Sequence, residues 1–218
     1  EGVRDIERPF DCLMNRRSFL KVTAGAAATA AFLPYARAAA PARNLRKAIM
    51  YSTIGVKGSV LEKFRVMKEA GFEGVEPMGA MDRDEVVAAL KETGLQAASV
   101  CDHIHWVKPL SAPDEATRKL GFDGLVHSLH DAHAYGATSV LLVPGQVKPD
   151  ASYEQAWDRS VAEIKKAIPL AAELNIEILI ENVWNDFLTD AKETARFIDA
   201  CGSPLVGAHF DIGNTVRY

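Results

Sequence analysis

Two carboxylates close apolar runs, where a charged group needs a specific partner. Glu181 follows Ile178-Leu179-Ile180, and Asp211 follows Val206-Gly207-Ala208-His209-Phe210. The first run is apolar at every position and reads as a buried strand, so the carboxylate that ends it must be paired, hydrated or metal-bound. On adjacent parallel strand ends the two groups would lie close together, and a divalent cation would offset their repulsion. The alternative is that each caps the following helix or accepts backbone N–H groups. Glu76 closes a third run, Gly74-Val75, and either faces a ligand or pairs with a neighbouring lysine. In Cys101-Asp102-His103-Ile104-His105-Trp106, a histidine is placed to reach a ligand hydroxyl, with His103 preferred to His105, and Trp106 to wall an apolar ligand face. The alternative for either histidine is a backbone hydrogen bond. Gln146, Asn182 and Asn214 are the remaining polar groups at strand ends. His127, His130 and His133 share one helix, but no Glu follows His127 in a His-Glu-x-x-His pattern, so they do not read as a zinc site.

The elements that carry these residues alternate regularly. Strands are expected over 47–51, 74–76, 95–101, 139–143, 176–181 and 205–210. Helices are expected over 60–70, 82–93, 113–135, 152–174 and 189–200, with Ser59 and Asp82 as N-caps and Glu85, three residues after Asp82, in capping-box position. Leu61, Phe64, Val66 and Met67 fall on or near one face of the first helix, and Pro169 should kink the fourth or restart it. Gly71, Gly94, Gly136 and Asn175 end helices, each leading into a strand within a few residues. Strand–helix alternation argues for a parallel sheet under covering helices. No Gly-x-Gly-x-x-Gly follows the first strand, which removes the support for a dinucleotide fold. Uniform short joints favour a (β/α)8 barrel, in which catalytic groups sit at the C-terminal strand ends. About six of its βα units are present.

The N-terminal part reads differently. Met14-Asn15-Arg16-Arg17-Ser18-Phe19-Leu20-Lys21 precedes an apolar run to Leu33 and then Ala36-Arg37-Ala38. A charged start, a short apolar stretch and a small-x-small site make an export signal, and Arg16-Arg17-Ser18-Phe19-Leu20-Lys21 resembles the twin-arginine pattern. The expected organisation is an upstream extension over 1–13, a twin-arginine signal over 14–38 and a partial barrel over 39–218. Export to the periplasm, the twin-arginine machinery as a partner and no stable membrane span follow as expectations. The 218 residues carry 25 Lys+Arg against 29 Asp+Glu, and 39–218 alone carries 19 against 25. That acidic balance argues against a nucleic-acid partner. Cys101 and Cys201, the cysteines of 39–218, read as small apolar residues, and their pairing stays open.

Ile180-Glu181-Asn182-Val183-Trp184, Phe210-Asp211-Ile212-Gly213-Asn214 and Gly71-Phe72-Glu73-Gly74-Val75-Glu76 together resemble motifs of the sugar phosphate isomerase/epimerase superfamily, the xylose-isomerase-like TIM barrels. The resemblance spans roughly 46–218. It implies one divalent ion (Mn, Mg, Co or Zn) held by Glu, Asp, His and Glu from the last four strands, of which Glu181 and Asp211 match the first two. The other two would lie beyond Tyr218. It also implies that Glu181 is one of two acid/base groups moving a proton beside a carbonyl through an enediolate. The substrate would be a carbohydrate or related polyol, with Glu76, His103, Trp106, Asn182 and Asn214 on the substrate side. Asn214 stands where ketose epimerases often have a histidine. The competing expectations are an apurinic-endonuclease-like hydrolase on the same barrel and a non-catalytic periplasmic sugar-binding barrel. Homo-oligomerisation stays open.

Overall fold

The computed structural model describes residues 45–216, all but Leu45 belonging to the compact unit Arg46–Tyr218. The upstream extension and the export signal, Arg16 and Arg17 included, lie outside the described residues. Strands β1 (Ala48–Met50), β2 (Gly74–Glu76) and β3 (Gln96–Ala97) pair in order, and β4 (Val100–Cys101), β5 (Ser139–Leu142), β6 (Glu177–Glu181) and β7 (Val206–His209) continue the series. Every pairing is parallel. Helices α1 (Val60–Glu69), α2 (Arg83–Thr93), α3 (Glu115–Tyr135), α4 (Tyr153–Leu174) and α5 (Ala191–Cys201) form the crossovers. This is the order of six successive βα units, the last without its helix among the described residues.

The expected strand over 95–101 is divided into β3 and β4 by a bulge. Gly74 pairs with Gln96 and Val75 with Ala97, but Met78 bridges to Cys101, so one extra residue enters the later strand. The backbone bonds show the same step. Ala98 N–H donates to Val75 O, and Cys101 N–H, not Val100 N–H, donates to Pro77 O. Bulges of this kind re-aim side chains at sheet ends. Here the bulge delivers Ser99 to Glu76, to whose carboxylate its hydroxyl donates.

Local signals account for the helices. Ser59 and Ser152 each make a reciprocal capping box, with Glu62 and Gln155. Asp82, Asp114 and Asp190 accept N–H bonds at the starts of α2, α3 and α5. The Glu85 side chain does not close a box with Asp82 but accepts from Val60 N–H, tying α2 to α1. On α1 the buried face is Val60, Phe64 and Met67, while Val66 is exposed, because a spacing of four then three holds one side of a 3.6-residue helix. α4 runs unbroken through Pro169, whose ring lies on the exposed side. Asn175 ends α4 in the left-handed conformation at φ 54°, the only non-glycine among the helix C-caps that does so. The core is aliphatic between strands and helices, with Phe64, Leu125, Leu129, Ile164, Ile178, Ile180 and Phe197 fully enclosed. Among the described residues no helix is long and apolar enough to cross a membrane.

Candidate active site

Alternation along β6 and β7 sorts their side chains onto two faces. Ile180 pairs with Ala208 and Glu181 with His209. Ile180, Ala208 and Phe210 line a hollow of about 550 Å³ against α5, so they face the helix layer. Glu181 therefore faces the opposite side. Three elements bring carboxylates to that side: Glu76 at the end of β2, Glu181 at the end of β6 and Asp211 just past β7. Burial pushes the Glu181 carboxyl up to about 7, and the charges of Asp211 and then Glu76 add to the effect. Among the described residues nothing donates a hydrogen bond to the Glu181 carboxylate. The Cys101 thiol is pushed up by burial and by the charges of Glu76, Asp102 and Glu181, which places it beside the same cluster as an inert thiol.

Asp211 is aimed by its own loop. Its Oδ1 accepts from Gly213 N–H at 2.7 Å and Asn214 N–H at 3.2 Å. Thus Asp211 makes the backbone bonds of the capping alternative, and it also sits in the field of Glu181.

The remaining candidates fall elsewhere. His103 is exposed and stands against α3, its ring 6.4 Å from that of His127. His127 in turn pairs with the buried Asp131, which accepts Arg83 and Ala80 N–H. His103 is not brought to the carboxylates. His105 is the enclosed histidine, 4% exposed, and Val143 N–H donates to its Nδ1 at 3.3 Å. That bond fixes the ring proton on Nε2, and burial holds His105 down to about 4. Trp106 is 49% exposed, its ring edge-on to His105 at 5.6 Å. Gln146 Nε2 donates to Trp106 O, so that amide holds the loop.

Asn182 and Asn214 do not reach the carboxylate face. Both line the hollow against α5, and both make hydrogen bonds within the loops. Asn182 Nδ2 donates to Asp211 O at 2.9 Å and its Oδ1 accepts from Asp211 N–H at 2.8 Å, while Asn214 Nδ2 donates to Asn182 O at 2.8 Å. Asn182 follows an inward Glu181 and so points outward, into the hydrogen bonds of the loops rather than toward Glu181. Ser99 carried no signal of its own in the sequence, since nothing in Ala97-Ala98-Ser99-Val100 announces a bulge.

Among the described residues no three His, Cys, Asp or Glu side chains converge as a metal site. Glu181 and Asp211 nevertheless fit a hard divalent cation as a partial donor set. Both offer carboxylate oxygens, the charge of Asp211 disfavours ionised Glu181, and among the described residues Glu181 has no competing donor.

The family described as the xylose isomerase-like TIM barrel matches residues 64–218. The L-ribulose-5-phosphate 3-epimerase UlaE of Salmonella heidelberg (strain SL476) is 24% identical over 172 residues, covering 71% of this chain and 59% of its own length. This chain thus spans about three-fifths of the curated relatives it matches. Among solved structures, the 3-keto-D-glucoside 4-epimerase YcjR of E. coli superposes with a TM-score of 0.65 at 20% identity, over 75% of this chain and 68% of that one. An AP endonuclease, family 2, from Brucella melitensis superposes with a TM-score of 0.66 at 22% identity, over 77% and 68%. At these identities the structures establish the barrel fold, which carries many chemistries.

Proposed function

Since the chain belongs to the xylose isomerase-like TIM barrel family, we propose that it is a metal-dependent isomerase or epimerase acting on a sugar or sugar-like polyol. The observation that carries this reading is the Glu181 carboxylate at the end of β6, half-buried, with no hydrogen-bond donor among the described residues and pushed up to about 7 by burial and by the charges of Asp211 and Glu76. A base whose carboxyl titrates near neutral pH can both take a proton from carbon and return it. Glu181 accepts the proton on the carbon next to the substrate carbonyl, the C–H electron pair becomes a carbon–carbon double bond, the carbonyl π pair moves onto oxygen, and an enediolate results. Reprotonation at carbon restores the carbonyl. Epimerisation needs a second acid/base group on the opposite face, and the UlaE and YcjR proteins that this chain resembles are named as epimerases. Glu181 and Asp211 would hold a divalent ion (Mn, Mg, Co or Zn), which when bound supplies positive charge to the oxygen that becomes negative.

The acidic charge balance favours this reading over the endonuclease, despite the similar barrel of one such protein. The deciding assay is solvent deuterium incorporation into a panel of keto sugars, with metal content measured in parallel. Glu181→Gln should abolish exchange and weaken metal binding. Asp211→Asn should lower exchange in a way that excess metal partly restores. Full metal occupancy with wild-type exchange in Glu181→Gln would remove the reading.

Residues 14–38 support a second proposal, that the protein is carried to the periplasm as a folded unit by the twin-arginine machinery. Fused to a folded reporter, this segment should direct export, and Arg16→Lys with Arg17→Lys should leave the reporter in the cytoplasm. Unimpaired export of the double variant would refute it.

A further inference from the structure

The ladder between β6 and β7 ends at Glu181 paired with His209, before it reaches Asp211. Beyond that point one side chain replaces it. The Asn182 carboxamide grips both backbone groups of Asp211, donating from Nδ2 to its carbonyl at 2.9 Å and accepting at Oδ1 from its N–H at 2.8 Å. Only one orientation of the amide satisfies both contacts, since exchanging its oxygen and nitrogen would set donor on donor and acceptor on acceptor. The clamp is itself braced. Asn214 Nδ2 donates to Asn182 O at 2.8 Å, and Trp184 Nε1 donates to Asn214 O at 2.8 Å. Thus the residue after Glu181 holds the backbone of Asp211, and the second residue after that holds the residue three past Asp211.

We infer that Asn182 is a positioning residue that fixes Asp211 relative to Glu181, and that Asn214 braces it. The inference rests on the proposed metal reading only for its consequence; the clamp itself stands on the four hydrogen bonds. Its physical content is register beyond the strand ends. Without side-chain bonds, the Phe210–Asn214 segment would hold Asp211 only through local turns, and a displacement of about 1 Å suffices to spoil a paired donor set. Asn182 does this from the helix-facing side of the sheet, on the opposite face from Glu181.

Two readouts on the full-length protein test it. In metal-free protein, amide hydrogen exchange across Phe210–Asn214 should rise about tenfold or more in Asn182→Ala, because the Asp211 N–H loses its acceptor. Asn182→Asp, which keeps an acceptor of the same reach and loses the donor, should fall between the two. In the second readout, Mn²⁺ titration should show Asn182→Ala binding about tenfold more weakly, with the KM for the sugar unchanged at saturating Mn²⁺. Wild-type exchange in Asn182→Ala would overturn the clamp. Raised exchange with unaltered Mn²⁺ affinity would overturn the positioning role, and a raised KM at saturating Mn²⁺ would make Asn182 a substrate contact instead. If the wild type itself bound no Mn²⁺, the metal reading would fall and with it the positioning role, while the exchange readout would still decide the clamp.

Discussion

Asp102 and His105 stand three residues apart at the end of β4, and burial drives them in opposite senses. Asp102 is 1% exposed, and its Oδ2 has no hydrogen-bond partner. Its carboxyl is pushed up from 3.8 to about 6 by burial, against the N–H groups of Ile104 and His105. His105 is held down from 6.5 to about 4 by burial and then by His103. The signs follow from linkage. A raised carboxyl contributes stability that is complete below 3.8 and lost as pH rises through 6. A depressed histidine contributes stability that is complete above 6.5 and lost as pH falls through 4. Across the interval between, the two residues pull against each other and flatten the stability curve. Asp102→Asn keeps the Oδ1 acceptor for Ile104 N–H and removes the ionisation. It should raise the urea midpoint at pH 7 relative to pH 4.5, by on the order of 2 kcal/mol compared with wild type. His105→Gln should have the reverse effect, gaining at pH 4.5 relative to pH 7. Urea melts at the two pH values measure both, and parallel behaviour of the variants and the wild type would show that neither group titrates as its burial requires.

At the scale of elements, the crossovers were legible because their signals are local. Ser59 and Asp82 each directly precede the helix they cap and so were readable as N-caps, and Gly94 and Gly136 end helices at left-handed φ values that favour glycine. The bulge between β3 and β4 was not legible. It depends on which residue of β2 faces which residue of β3, and sequence periodicity within one short strand contains no register. His103 and His105 show the same limit. Both follow the strand, but the chain turns into an irregular loop after Asp102, so the period of two no longer says which ring is enclosed. Asn182 is the opposite case. Given an inward Glu181, alternation alone turns Asn182 outward, and that signal was present in Ile180-Glu181-Asn182. The strand-end places of Glu181 and Asp211 were readable because each follows an apolar run, whereas the effect of the Asp211 charge on Glu181 needed the neighbouring strands in place.

The molecule as a whole sets its own test through its edges. Among the described residues β1 pairs on one side only, with β2, and β7 on one side only, with β6. Unpaired parallel edges present a row of N–H and C=O groups to any other strand. Beside β7 the surface is apolar as well: Phe210, Ile212 and Val216 are exposed, next to the hollow lined by Ile180, Ile198 and Ala208. A closed barrel removes both edges at once, whereas the described unit leaves both accessible. Residues 46–218 expressed alone should therefore self-associate, with a weight-average mass by light scattering that rises with protein concentration. Charge offers little resistance to this, since the excess of acidic over basic residues is small for the chain's length. Replacing Phe210 and Ile212 with Lys should lower the mass at a given concentration by placing like charges along the β7 edge, without disturbing α1 to α4, which lie away from it. A monodisperse monomer that melts in a single cooperative transition would instead show that the six units form a self-sufficient open sheet whose edges are protected.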